Sequence, residues 1–367
     1  MDETLLKREE RAVFALRALY RRYGYLPFKM SKFEEYELYA RNKDFLLSDR
    51  VITFTDLNGR LMALKPDVTL SILKNAEDRS GVKQKLCYDE SVFRPGSSLD
   101  GYREITQTGL ECIGDLDGYD IYEVVSLAVR SLETVSERFV LEVSHLGLLT
   151  ALLDRLDAGE ELRKELARCV AGKNAHDLRR LARENALSET AAERLCACMA
   201  VYGPLRESIA RLRTLCGGEK ACAALGELEQ LTELLEQNGL SGNLVFDFSL
   251  VSDMKYYNGV VLRGYLPGVA ERVLAGGQYD NLMHRMGRRS RAIGFAVYLD
   301  QLEQAGSADR TNDVDVLLLY SDGTPLERVS GAVAGLTEAG KSVSAQRAAP
   351  KGLRFGEILD LREGAAK

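Results

Sequence analysis

Few residues in this sequence have the type and spacing to do chemistry unaided. None of the three histidines, His145, His176 and His284, has a ligand-type residue at the third or fourth position after it. Neither a metal site nor a Ser-His or Cys-His nucleophile is therefore supported. Seven cysteines, Cys87, Cys112, Cys169, Cys196, Cys198, Cys216 and Cys222, form an odd, irregularly spaced set in a long chain. That pattern argues for reduced thiols rather than a disulfide framework. Cys196, Cys198, Cys216 and Cys222 could be imagined as a zinc set, but C-x-C followed by C-x5-C in an Ala/Leu/Arg-rich helical stretch lacks knuckle spacing, so buried helix cysteines are expected. Gly276-Gly277 is not followed by G-x-x-x-x-G-K or G-x-G-x-x-G, which points to a tight turn between strand and helix rather than a phosphate cradle. The runs LRRLAREN and LRKELAR are interleaved with Glu and read as a solvated or partner-contact face, not an RNA surface.

The chain around these residues has 367 residues, a net charge of −6, a pI near 5.5 and a mean hydropathy of −0.18. No basic field advertises nucleic-acid binding, so nucleic acid is not expected as a partner. No apolar run approaches the roughly 20 residues that span a bilayer. The start, MDETLLKREERAVFALRALY, lacks the basic-then-apolar order of a signal peptide, and a cytoplasmic location is expected.

Periodicity supplies the elements that must position any site. Leu5 to Tyr23 has helical spacing and turns at Gly24. VITFTDLNGRLMALKPD alternates β-formers about Asn58-Gly59, a hairpin signal. A helix follows from Val68 to about Asn75, then strand, loop and strand over QKLCYDESVFR and REITQTGLECIG, then a helix from Tyr119 to Val135. From about 148 to 240 the composition is Leu/Ala/Glu/Arg with no strand candidate, a helical insertion. Sheet pattern resumes in NLVFDFSLV, YYNGVVLRGYL and AIGFAVYL. From Asp313 a strand, a helix and a second strand form a small α/β unit over 313–367, separate from a core over 1–305.

Four segments resemble the class II aminoacyl-tRNA synthetase core of the histidyl-tRNA synthetase type, in order over about residues 1–305. LKPDVT at 64–69 resembles its first histidine-binding segment, and VFRPGSSLDGYREITQTGLECIG at 92–114 its motif 2. KYYNGVVLRGY at 255–265 resembles the YYTG segment, and AGGQYDNLMHRMG at 275–287 the GGRYDGL segment. The resemblance implies an α+β fold, an antiparallel sheet flanked by helices, and a homodimer through the N-terminal region. It also implies that Asp67, Thr69, Arg94, Gln107, Glu111, Tyr257 and Tyr279 occupy positions that hold histidine. Strand alternation assigns Tyr257 to the pocket and leaves Tyr256 for core or interface.

The departures bear on activity. Adenylate formation needs fixed cations where phosphate charge develops, a role suited to arginine. Relative to the family, Gly96 stands for the motif 2 Glu, Ser252 for an Arg, Gln301 for the motif 3 Arg, Tyr298 for its Gly and Ser31 for the motif 1 Pro. Aminoacylation is expected to be absent, with no catalytic residues, metal or cofactor. A histidine pocket kept on such a core resembles the ATP phosphoribosyltransferase regulatory subunit family. That resemblance implies a short-form catalytic subunit as partner, histidine as effector and a hetero-oligomer active in histidine biosynthesis. The alternative is a synthetase-like RNA-binding or translation-associated paralogue.

Overall fold

The computed structural model describes residues 7–43, 46, 50–76, 81–95, 101–156, 158–251, 256–304 and 312–362. The chain divides into two compact units, Met1–Ala305 and Gly306–Lys367. In the first, α1 (Arg8–Arg22) precedes β1 (Leu26–Pro27), β2 (Phe33–Glu35), α2 (Tyr36–Arg41), β3 (Thr53–Thr55), β4 (Leu61–Leu64) and α3 (Val68–Asn75). The long strands β5 (Lys83–Pro95) and β6 (Tyr102–Gly114) lead to α4 (Gly118–Val135) and β7 (Val140–His145). The insertion contains α5 (Leu146–Leu153), α6 (Glu160–Ala171), α7 (Ala175–Glu184), α8 (Glu189–Met199), β8 (Tyr202–Gly203), α9 (Leu205–Leu215) and α10 (Glu219–Gln237). The unit closes with β9 (Leu244–Asp247), β10 (Val260–Tyr265), β11 (Leu274–Gln278), α11 (Asp280–Arg285), β12 (Arg291–Tyr298) and α12 (Leu299–Gln304).

A nine-stranded sheet in the order β1-β5-β6-β12-β11-β10-β7-β9-β8 carries this unit. It is parallel only at β1 with β5 and at β7 with β9. This is the expected α+β layering, with two corrections to its details. Gly276-Gly277 is the middle of β11 rather than a turn, because a Cβ on Gly276 would meet the Gly294 carbonyl of β12 at 2.3 Å. The insertion is not strand-free, since β8 pairs with β9 at the sheet edge. Strand β7 was not anticipated, although VLEVSH alternates as a strand should. The hairpin forms, but Thr55 pairs with Leu61 and the Asp56 carboxylate accepts from the Asn58 and Arg60 amides, giving a loop longer than an Asn-Gly turn.

Helix ends follow local chemistry. The Lys7 amide donates to Glu10 at 2.8 Å at the start of α1, with Arg21 and Arg22 in its last turn, matching the helix dipole at both ends. Leu16 and Tyr20 bury one face of α1, and the Tyr20 hydroxyl meets Ser131 of α4 at 3.1 Å. One apolar core joins α1 and α4 to the sheet and runs on through the insertion. A second core gathers α3, Tyr88, Tyr279 and α11. The second unit is a parallel three-stranded sheet, with β13 (Val314–Leu319) between β14 (Val343–Gln346) and β15 (Phe355–Asp360), plus α13 (Leu326–Glu338). Here β15 is an element the sequence pattern did not announce. Among the described residues no helix is long and apolar enough to cross a membrane.

The small sheet β2-β4-β3 is tied to the large one by a buried ion pair. Lys65, fully buried just after β4, donates to Glu90 of β5 at 2.8 Å, and the other Glu90 oxygen accepts from the Met30 amide at 3.2 Å. Removing one partner of a buried pair strands the other charge at a cost of about 3–5 kcal/mol. We expect Glu90→Gln to lower the unfolding free energy by that order, and Lys65→Met added to Glu90→Leu to recover much of it, as read by urea unfolding.

Candidate histidine-type pocket

Three elements far apart in sequence converge on one carboxylate. Glu111 lies on β6 and is 2 % exposed. Its Oε1 accepts from the Thr69 hydroxyl of α3 at 2.9 Å, and its Oε2 accepts from the Tyr279 hydroxyl, at the start of α11, at 2.5 Å. Across the sheet Glu111 pairs in register with Gly294 of β12. A Cβ on Gly294 would sit 1.7 Å from Glu111 Oε2, so the carboxylate occupies room that only glycine leaves. Asp67 caps α3, its side chain accepting from the Leu70 amide at 2.9 Å.

Burial pushes the Glu111 carboxyl up to about 8, against the two hydroxyl hydrogen bonds, and neighbouring Asp67 adds to the rise. Burial also raises Asp67, against the Leu70 amide and the Arg94 charge. Two adjacent acids in a place that resists their ionisation make a site that gains from a bound cation.

The remaining expected residues fall around this centre. Arg94 donates from Nε to the Pro66 carbonyl at 3.0 Å, next to Asp67. Gln107 is four residues before Glu111 on β6 and so shares its face, between Glu90 of β5 and Tyr298 of β12. It is 3 % exposed and its Nε2 has no hydrogen-bond partner, an unusual state for a buried donor. Tyr257 packs beside Gly277, and its ring lies 4.7 Å from that of Tyr256. The expectation that Tyr256 turns away is corrected. Both tyrosines precede β10, where strand alternation does not yet hold, and the Tyr256 ring reaches Tyr279 at 5.8 Å. The Tyr256 hydroxyl, raised by burial and then by Asp67, interacts with Thr69. Tyr88, buried on the β5 residue opposite Gly109, was also missed, and lies close enough for Glu111 and Asp67 to raise its hydroxyl after burial does.

Where a synthetase would hold ATP, the chemistry differs. A cavity of about 400 Å³ is lined by Arg94, Tyr265, Glu271, Arg272, Tyr298, Asp300 and Gln301, among others. Asp300 Oδ1 and Gln301 Oε1 are buried acceptors without partners, and burial raises the Asp300 carboxyl. These two acceptors oppose phosphate oxygens, although Arg94 and Arg272 line the same cavity. Gly96 and Ser252 lie outside the described residues.

Comparisons with known proteins identify the family and the fold. A model of the histidyl-tRNA synthetase family matches residues 1–302. The ATP phosphoribosyltransferase regulatory subunit of Clostridium kluyveri is 30% identical over 317 residues, covering 83% of this chain and 81% of that one. The chain belongs to the ATP phosphoribosyltransferase regulatory subunit family, on a histidyl-tRNA synthetase-like fold. A crystal structure from Bacillus halodurans C, described as an ATP phosphoribosyltransferase regulatory subunit/histidyl-tRNA synthetase, superposes with a TM-score of 0.79 at 26% identity, over 99% of this chain and 97% of that one. A chain of the ATP phosphoribosyl transferase (HisG:HisZ) complex from Thermotoga maritima shares the fold, with a TM-score of 0.63 at 20% identity over 81% of this chain and 98% of that one.

The buried carboxyl has a consequence for stability in this family member. Glu111 holds its proton up to about pH 8 when folded, against an ordinary value of 4.5. Between those limits the native state binds the extra proton, so the contribution of Glu111 is greatest at low pH and is lost as pH rises, by at most about 1.4 kcal/mol per pH unit. We expect Glu111→Gln to flatten this part of the stability curve of the ligand-free protein, as measured by thermal unfolding from pH 5 to about 9.

Proposed function

We propose that the chain is the non-catalytic regulatory subunit of an ATP phosphoribosyltransferase. In this reading a short-form catalytic subunit depends on it for activity in the first step of histidine biosynthesis, and free histidine binds it as feedback effector. The observation that carries the reading is the Glu111 centre with its two raised carboxyls. A histidine offers an ammonium and an imidazole to Asp67 and Glu111, and a carboxylate to Arg94 and to the unpartnered Gln107 Nε2. Thr69, Tyr257 and Tyr279 orient it, with Tyr256 joining them. The names of the curated relatives support the partner.

The complex works in the cytoplasm, with no cofactor on this chain. Self-association runs through the N-terminal region, where Phe14, Leu26, Phe33, Phe54 and Leu61 remain 39% to 66% exposed.

In this reading the chain does not aminoacylate, and the replacement of donors supports that. Removing one transition-state donor typically costs about 10²–10³ in rate, and Gln301 puts an acceptor where the family has a cation. We expect no histidine-dependent exchange of pyrophosphate into ATP, and Gln301→Arg alone to restore none. Exchange above background in the wild type overturns this part.

Feedback requires that histidine bind one state of the complex better than another. Coupling of about 1–3 kcal/mol, roughly 5–150-fold in affinity, is typical. We expect Glu111→Gln and Tyr279→Phe each to raise the histidine concentration for half-inhibition by ~10-fold or more in the reconstituted complex. Gel filtration should show assembly retained. Unchanged inhibition curves for both would place the effector site elsewhere.

A further inference from the structure

Two thiols in the helical insertion have no part in the pocket. Cys198 lies near the end of α8 and Cys216 caps the C-terminus of α9, with Gly217 and Gly218 directly after it. Cys198 is fully buried and Cys216 is 7% exposed, and their sulfur atoms are 3.6 Å apart. Among the described residues this is the one cysteine pair in sulfur–sulfur contact. A disulfide needs about 2.05 Å between sulfurs, so forming one requires the two sulfurs to approach by about 1.5 Å. Gly218, at φ +99, gives the adjoining backbone freedom that other residues lack.

We propose that Cys198 and Cys216 are a reversible redox pair, oxidised by a peroxide to a disulfide that staples α8 to α9. The two sulfurs are already unequal. The sulfur–sulfur contact, and then the Arg194 charge, lower the Cys216 thiol, while the same contact and burial raise Cys198. Cys216, which is also the less buried of the two, is thus assigned as the attacking thiolate. Its sulfur takes one peroxide oxygen, an S–O bond forms, the O–O bond breaks, and the hydroxide released collects the thiol proton as water. The Cys198 sulfur then attacks the sulfenic sulfur, the S–S bond forms, the S–O bond breaks, and a second water leaves. Two thiols lose two electrons in all, and one hydrogen peroxide is reduced to two waters.

The bond would close a loop that contains β8, the strand completing the sheet edge on β9. Oxidation would therefore fix α8 to α9 on either side of β8 and restrict the unfolded chain.

The test uses the full chain, treated with hydrogen peroxide, blocked with a thiol reagent and digested with trypsin, which cuts between the two cysteines at Arg206, Arg211 and Arg213. We expect a loss of about 2 Da, a linked peptide pair containing Cys198 and Cys216, and its release by dithiothreitol. The link should persist in Cys222→Ser, which removes the exposed thiol, and vanish in Cys198→Ser and Cys216→Ser. The thermal midpoint should rise on oxidation of the wild type and of Cys222→Ser. Trypsin leaves Cys196 and Cys198 on one peptide, so fragmentation of the linked pair between these two residues assigns the bond, and this wild-type map decides the matter even if a variant fails to fold. No link in folded wild type, a link from either residue to Cys196 or Cys222, or oxygen added to Cys216 without a link would each overturn the proposal.

Discussion

A carboxylate buried beneath two hydroxyls is the constraint around which this molecule is arranged. Glu111 comes from the middle of the sheet, Thr69 from the first turn of α3 and Tyr279 from the start of α11, and each hydrogen bond fixes one helix against β6. An ionised or half-ionised carboxyl inside a protein is tolerated only when its oxygens are satisfied. Both oxygens are satisfied here, and the site still favours the protonated form. Gly294 belongs to the same constraint, because any side chain there would displace the carboxylate. The second apolar core, with Tyr88, Leu282 and α3 packed over the same strands, keeps water from relieving the charge.

The neighbouring cavity follows different chemistry although it shares Arg94. A phosphate site presents N–H groups and cations, whereas this one sets the partnerless Asp300 and Gln301 oxygens beside Arg94 and Arg272. Under the proposed reading, one half of the site keeps acceptors and donors suited to an amino acid, and the other sets acceptors where a triphosphate needs donors. Catalysis and recognition require different inventories, so the first can decay while the second is maintained.

The sequence carried the local elements well and the long-range ones unevenly. Helix α3 could be read because Asp67 is a strong N-cap and its apolar residues have helical spacing, and β5 and β6 because they are long and β-rich. Gly276-Gly277 misled, because a glycine pair signals a turn unless a neighbouring strand is known to press on it, and that strand is β12, further along the chain. Tyr256 and Tyr257 misled for a related reason, since alternation was applied to residues that stand before the strand begins. The residues of the Glu111 centre could be named only through a resemblance. Nothing in the spacing of Thr69, Glu111 and Tyr279 says that they meet. The Cys198 to Cys216 contact was hidden in the same way, because a helix and a turn intervene and only packing brings the sulfurs together.

A pocket without chemistry can still govern a partner if its occupant changes what the surrounding elements prefer. Under the proposed reading, an ammonium beside Glu111 takes over the role of the proton that burial otherwise retains, so ligand binding and deprotonation are linked. The charge then pulls on Thr69 and Asp67, which lie in the first turn of α3 and its cap. Just before them, Pro66 accepts from Arg94, and Lys65 holds Glu90. These contacts join the pocket to the small sheet through one short peptide, 65–69. A shift of α3 against β6 therefore cannot stay within the pocket, because packed interfaces adopt discrete arrangements rather than deforming continuously. What makes the site fit for feedback is thus the feature that makes it costly: two acids held where neither ionises comfortably, on a segment whose other contacts all lead outward.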